Sequence, residues 1–383
     1  MEENFNNLDN INFNEREEIL KKKIFKIIMI ILISIIILIL TIFILLYIII
    51  NKENKENSED TYKCEEGEED KCLKCENNKC LSCNNRYELI NGKCKATFSF
   101  RAIYETEDNN ENVDLIYIKF KDRIIKLIVD DIEVNPSLNY TFKYSGKHIV
   151  YISMNISELD ELKAMFYQMK NLHSIYFSKE FDTKNIKYIS NMFFYCNKLK
   201  SIDISNFNTQ NMIYLNDLFH GCSSLVSINL SNFNIRNAKY IYSMFQGCSS
   251  LPYIDLSKFE TNNVTHMSSL FQGCSSLTSI DLSTFNTDKV ISMSFLFDGC
   301  SSLTSINLSN FNTKKVQYMI KMFDNCKSLK YLDISNFSNT STSYFNFTTS
   351  LPSSGTIRLN KIIFDKIKTF IPETWKIEFV DNE

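Results

Sequence analysis

The sequence predicts an α/β solenoid of about seven coils, each a short strand with a helical return limb, carried on one membrane span. Three observations predict it. The heptapeptide FQGCSSL at Phe245–Leu251 returns unchanged at Phe271–Leu277. The six cysteines Cys196, Cys222, Cys248, Cys274, Cys300 and Cys326 stand 26 residues apart, a period that marks stacked repeats. Ile27 to Ile50 is a run of 24 residues without a charge.

That apolar run sets the expected compartment. As a helix it is about 36 Å long, enough to cross a hydrocarbon core of about 30 Å with some tilt. A cleaved signal peptide is the competing reading, but its apolar region is shorter and ends at small residues. Here bulky Leu46, Tyr47 and Ile48–Ile50 close the run. Arg16, Lys21, Lys22, Lys23 and Lys26 precede it; Lys52, Lys55 and Lys63 follow. That bias places residues 1–26 in the cytoplasm and the rest outside the plasma membrane, a type II single-pass topology.

A charged linker, residues 51–63, leads to a module at 64–95 that holds Cys64, Cys72, Cys75, Cys80, Cys83 and Cys94 with few apolar side chains. No hydrophobic core of its own can hold such a segment. An even count in an oxidising compartment predicts a small disulfide-rich knob, with the pairing open. Zinc on the two Cys-x-x-Cys pairs is the alternative, and it needs the opposite topology. Residues 96–163 alternate apolar and polar side chains in runs such as TFSFRAIY and predict a β-rich N-terminal cap.

The repeats fill residues 164–350. In the unit that opens at Cys222, Leu225, Ile228 and Leu230 alternate with polar residues as in a strand with one buried face. Ala238, Ile241, Met244 and Phe245 then fall at helical spacing, and Gly247 supplies a left-handed terminus. An earlier unit with one extra residue carries Met169 in the cysteine slot. Stacking puts like residues over like. It predicts two phenylalanine ladders, Phe166 to Phe323 and Phe181 to Phe337, and a column of buried free thiols. The phrase FQGCSSLTSIDLSTFNTDKVISM, through Phe271, Cys274, Leu277, Ile280 and Leu282, resembles the BspA-like leucine-rich-repeat surface proteins of bacteria and some protists. The resemblance implies a right-handed, curved coil displayed at a cell surface for adhesion or binding. Residues 351–383 read as strand, short helix, a stop at Pro372 and a last strand with Trp375, a C-terminal cap.

Function then rests on surfaces. A net charge of −3 gives no basic excess for nucleic acid. His148, His173, His220 and His266 occupy unrelated slots without a recurring nucleophile and carboxylate, so no enzyme is expected. The pattern calls for no cofactor or metal. The outward strand positions Asp203, Asn229, Asp255, Asp281, Asn307 and Asp333, with Tyr253 and Tyr331, form the expected ligand-binding face. The alternative is a solvated strand face bonded along the ladder. The expected partner is an extracellular protein or glycan; lateral self-association into a coat is the second reading. Asn139, Asn155, Asn263, Asn336, Asn339 and Asn346 begin Asn-x-Ser/Thr sequons and are glycosylation candidates; Asn229 and Asn307 do so on the face itself.

Overall fold

The computed structural model describes residues 72–76, 79–83, 87–90, 93–96, 99–179, 181–338 and 351–380, with side chains from Ser99 onward. The expected membrane span and Cys64 lie outside the described residues. No helix among the described residues is long and apolar enough to cross a membrane. The other five cysteines of the expected knob lie on two antiparallel pairs. Strand β1 (Cys72–Glu76) pairs with β2 (Lys79–Cys83), setting Cys72 opposite Cys83 and Cys75 opposite Cys80. Strand β3 (Tyr87–Ile90) pairs with β4 (Lys93–Ala96), which carries Cys94. The side chains of these cysteines, and so their bonding, are outside the described set.

The N-terminal cap is an antiparallel sheet. Strand β5 (Phe100–Thr106) pairs with β10 (Gly146–Met154), which pairs with β7 (Ile124–Val129), which pairs with β8 (Ile132–Val134). A second pair, β6 (Glu111–Asp114) and β9 (Asn139–Phe142), lies outside this sheet. On its other edge β5 pairs antiparallel with β11 (Leu172–Phe177), the first strand of the repeats. From there the strands are parallel: β11 to β12 (Ser201–Asp203) to β13 (Ser227–Asn229). Phe100 of the cap meets Phe166 edge to face at 5.1 Å and so covers the first ring of the ladder.

The return limb departs from expectation. It is a string of overlapping turns with no α-helix, so the repeat region is a β-solenoid. Over Ile241–Cys248 the backbone N–H groups alternate in destination. Those of Ile241, Ser243, Phe245 and Gly247 donate to the next coil, at His266, Ser268, Leu270 and Gln272. Those of Met244, Gln246 and Cys248 donate three residues back, at Ile241, Ser243 and Phe245. An α-helix sends every interior N–H to its own chain and leaves none for a neighbour. Left-handed residues permit the alternation: Ser243 has φ 55° and Gly247 φ 73°, and equivalents recur in other coils. A Cβ on Gly247 would stand 3.5 Å from the Gly221 Cα below, an ordinary contact, so it is the left-handed backbone and not crowding that favours glycine there. Parallel bridges tie Glu161, Tyr188, Tyr214, Tyr240, His266, Ser292 and Tyr318 into one column, seven coils deep. The 27-residue step from Glu161 to Tyr188 absorbs the extra residue of the first unit.

Both phenylalanine ladders form and are buried throughout. Phe193, Phe219, Phe245, Phe271, Phe297 and Phe323 stack with centroids 5.6–6.0 Å apart, and Phe233, Phe259, Phe285 and Phe311 at 6.1–6.5 Å. The cysteine column is also buried, and all six thiols are free. Each thiol donates to the carbonyl of a ladder phenylalanine in the preceding coil. Cys274 Sγ reaches Phe245 O at 3.1 Å, and Cys222, Cys248, Cys300 and Cys326 do the same one coil apart. A buried threonine ladder adds to this. Thr287 Oγ1 donates to Asn312 O at 3.0 Å and accepts from Asn312 N at 2.8 Å. Thr261 makes the same pair of bonds to Asn286.

The strand side is less continuous. The bond from Val226 N to Lys200 O has no counterpart one coil on, because Pro252 carries no N–H. The strand pairing stops after β13 and resumes with β14 (Ser305–Asn307) and β15 (Tyr331–Asp333). Two further parallel strands follow, β16 (Thr356–Leu359) and β17 (Lys376–Phe379), joined through the short helix α1 (Lys361–Ile367). Asn360 caps α1 by accepting from Ile363 N at 3.0 Å, and its amide donates to Phe337 O.

Phe271→Ala is expected to cost about 3–5 kcal/mol of unfolding free energy by urea titration, the range for emptying a buried aromatic site. Tyr253→Ala, on a side chain 57% exposed, is expected to change it by less than about 0.5 kcal/mol. Burial pushes the Cys274 and Cys326 thiols up to about 12, so almost no thiolate exists at pH 8. Iodoacetamide at pH 8 followed by peptide mass mapping should therefore leave the six repeat cysteines unlabelled until denaturant is added. Labelling in the native protein would contradict the buried column.

Candidate functional site

The expected face is assembled, with one end closed. Asp203, Asn229, Asp255, Asp281 and Asn307 are all exposed on the strand side, and register sets Asp203 opposite Asn229 and Asn307 opposite Asp333. Tyr253 stands clear of the small side chains around it. Asp333 does not belong to the open face: it is 2% exposed, and Arg358 from β16 lies 3.5 Å from its Oδ2. A buried carboxylate needs such a partner, and the non-repeat residue beside it supplies one. Tyr331 is half-buried and donates to Asp333 Oδ2 at 3.4 Å.

Each Asp or Asn of the column also has a structural duty. Its Oδ1 accepts the backbone N–H two residues on, at 2.9–3.1 Å, in Asp203–Ser205, Asn229–Ser231, Asp255–Ser257, Asp281–Ser283, Asn307–Ser309 and Asp333–Ser335. These are Asx turns, which bend the chain from strand to connecting loop. The Ser257 and Ser283 N–H groups hold the Asp255 and Asp281 carboxyls below the usual range. Each carboxylate is thus committed in part to the fold, held by the backbone and side chain of the serine two residues on, while the residue itself stays exposed.

The sequons are placed variously. Asn155 is exposed, with Oδ1 accepting from both Ser157 N and Ser157 Oγ; Asn139 and Asn336 are exposed. The Asn263 amide donates to Arg236 O and is engaged in the ladder. Asn339 and Asn346 lie outside the described residues.

Two histidines do meet carboxylates. His148 is buried with Nδ1 2.7 Å from Asp130 Oδ2 and Nε2 3.3 Å from Thr106 Oγ1, an order that resembles a catalytic triad. Its other contacts oppose that reading. Thr106 is 4% exposed and its hydroxyl accepts from Gly146 N, while His148 Nε2 also faces Tyr144 O at 2.8 Å. The cluster fastens a hairpin and presents no nucleophile. His220 lies 3.1 Å from Asp217, but the adjoining Cys222 is buried and bonded to Phe193 O.

One feature on the return limb was absent from the expected site. Tyr188, Tyr214 and Tyr240 stack at 5.0 and 4.8 Å, half-buried, with His266 next at 5.4 Å and Tyr318 51% exposed farther along. The signal was in the sequence: tyrosine recurs at this slot 26 residues apart from Tyr188 to Tyr240 and returns at Tyr318, with His266 and Ser292 between.

Asp281→Asn keeps the turn acceptor that Asn229 and Asn307 already provide, and is expected to leave thermal stability at pH 7 within about 1 °C. Asp281→Ala removes it, at about 0.5–1.5 kcal/mol. The sign of the pH dependence follows from the lowered carboxyl. Its contribution is full above the unfolded value of about 3.9 and is lost as pH falls through the folded value. Melting at stepped pH should show a shallower acid decline in Asp281→Asn than in the native chain.

Residues 160–254 and 241–354 each match the family described as "Mycoplasma protein of unknown function, DUF285". No curated protein matches the chain. The matched stretches together span residues 160–354, half of the sequence and the whole run of described coils, so the chain belongs to the DUF285 repeat family.

Proposed function

We propose that the chain is a type II single-pass protein of the plasma membrane, of the BspA-like leucine-rich-repeat kind. Its C-terminal solenoid is displayed outside the cell for adhesion or ligand recognition. The observation that carries the reading is the strand face. Small polar side chains recur there in register over successive coils, with Tyr253 raised among them and the exposed carboxylates of Asp203, Asp255 and Asp281 along the row. Such a face can make many modest hydrogen bonds to an extended protein or glycan surface. Display of many copies on one membrane multiplies them. The buried thiols and the engaged histidines leave recognition as the reading that the geometry favours over catalysis. The apolar run at Ile27–Ile50 and the lysine bias before it support the anchored topology.

A second reading has its own support. The stacked tyrosines of the return limb, continuing toward exposed Tyr318, form an aromatic stripe along the side of the solenoid, and exposed aromatics mark contact surfaces. Lateral packing of neighbouring copies along that stripe would make a surface coat. Protease added to intact cells should release repeat-domain peptides and spare residues 1–26. Full protection of the repeats would end the surface reading. Sedimentation of the purified chain over a range of concentrations separates the two roles, since a coat protein associates without ligand.

A further inference from the structure

A cleft of about 650 Å³ lies where the β6–β9 pair meets the first coil. The volume falls within the range of small-molecule and saccharide sites, about 300–1,000 Å³. Nothing in the repeat pattern requires it, because its walls come from the cap and from the first, irregular unit.

The lining has a definite chemistry. Buried Val113, Ile116 and Met169 form part of the apolar floor. Tyr117, 39% exposed, stands edge to face with Tyr167 at 6.2 Å. Tyr167 in turn lies flat on Phe194 of the next coil, 5.0 Å between centroids and 2° between planes. Ring faces at the cleft are therefore held fixed before any ligand arrives. Around them stand polar groups with unused capacity. The exposed Asp114 carboxylate makes no hydrogen bond or ion pair among the described residues. Asn112 Oδ1 accepts from Thr141, leaving its amide N–H groups over. Asn171 spends its amide on Glu105 O and on the Glu111 carboxylate, leaving its carbonyl oxygen over. Of the lining side chains only Asp114 and Lys170 are charged, one of each sign.

Rigid aromatic faces suit the C–H faces of a sugar ring, whose hydrogens carry partial positive charge against the negative face of the π-system. Side-chain amides and a carboxylate offer the mixed donors and acceptors that neighbouring hydroxyls need. The balanced charge disfavours a sulfated or sialylated ligand, and the polar rim disfavours a lipid. We propose that this cleft is a subsite for a neutral oligosaccharide, one ring packed on the Tyr117–Tyr167 pair and its hydroxyls bonded to Asp114, Asn112 and Asn171. This deepens the recognition reading and rests on it, at a place other than the strand face.

The test uses the full-length chain from a host without N-glycosylation, so that Asn139 at the rim carries no sugar of its own. It is exposed to immobilised neutral, sialylated and sulfated oligosaccharides and to peptides. Thiol protection of the repeat cysteines confirms the fold of each variant. Binding is expected to neutral oligosaccharides and to weaken about tenfold or more in Tyr117→Ala and, separately, in the isosteric Asp114→Asn. Binding to no glycan, preference for the anionic glycans or the peptides, or unchanged binding in both variants overturns the assignment. Tyr253→Ala separates it from the strand-face reading. Loss there with Tyr117→Ala unaffected removes the cleft site and leaves recognition by the repeats standing.

Discussion

The carbonyl oxygen of each ladder phenylalanine is the point on which the rest of the solenoid depends. Phe245 O takes the N–H of Cys248 within its own coil and the thiol of Cys274 from the next. One acceptor thus closes a turn and fixes the spacing between coils together. A carbonyl has two lone pairs, and here both are used. The thiol is the right donor for the second. It is small enough for a dry slot between stacked rings, and it costs less to bury than a hydroxyl with the same geometry. Register follows from this bond: once Cys274 sits over the Phe245 carbonyl, Phe271 must lie over the Phe245 ring, and the threonine and backbone rungs fall into line.

What the sequence reveals and conceals follows from that periodicity. The ladders, the cysteine slot and the left-handed glycine could be read because each is a property of one coil multiplied. The return limb could not be read correctly. Ile241 and Met244 are three residues apart because turns bonded three residues back place every third side chain inward, and that spacing is almost the helical one. The Asp and Asn column was legible as a face, and the Asx-x-Ser pattern carries the signature of its turn role. Asp333 was misplaced because its partner Arg358 lies past the last regular unit. The cleft beside Tyr117 left no periodic trace. It joins residues more than fifty positions apart from two different kinds of structure.

Engagement and exposure divide the functional groups. Thiols and threonine hydroxyls hold coil to coil, and one oxygen of each turn carboxylate holds the turn of its own coil. The groups left over face outward in rows whose spacing the backbone sets. The strand face and the tyrosine stripe are two such rows on opposite limbs, and neither asks for further ordering before a partner meets it. That preorganisation lowers the entropic cost of contact.

Stacked Gly247, Gly273 and Gly299 show how alike adjacent coils are: each meets below it the bare backbone of the glycine one coil earlier. A coil of 26 residues can therefore be excised, or a copy spliced in, and the two new neighbours will find the contacts they had before. The peptide at Phe245–Leu251 and its exact copy at Phe271–Leu277 show that two neighbouring coils already tolerate the same junction sequence. The length of the solenoid can then vary between descendants in whole-coil steps while cap, terminus and interior chemistry stay as they are.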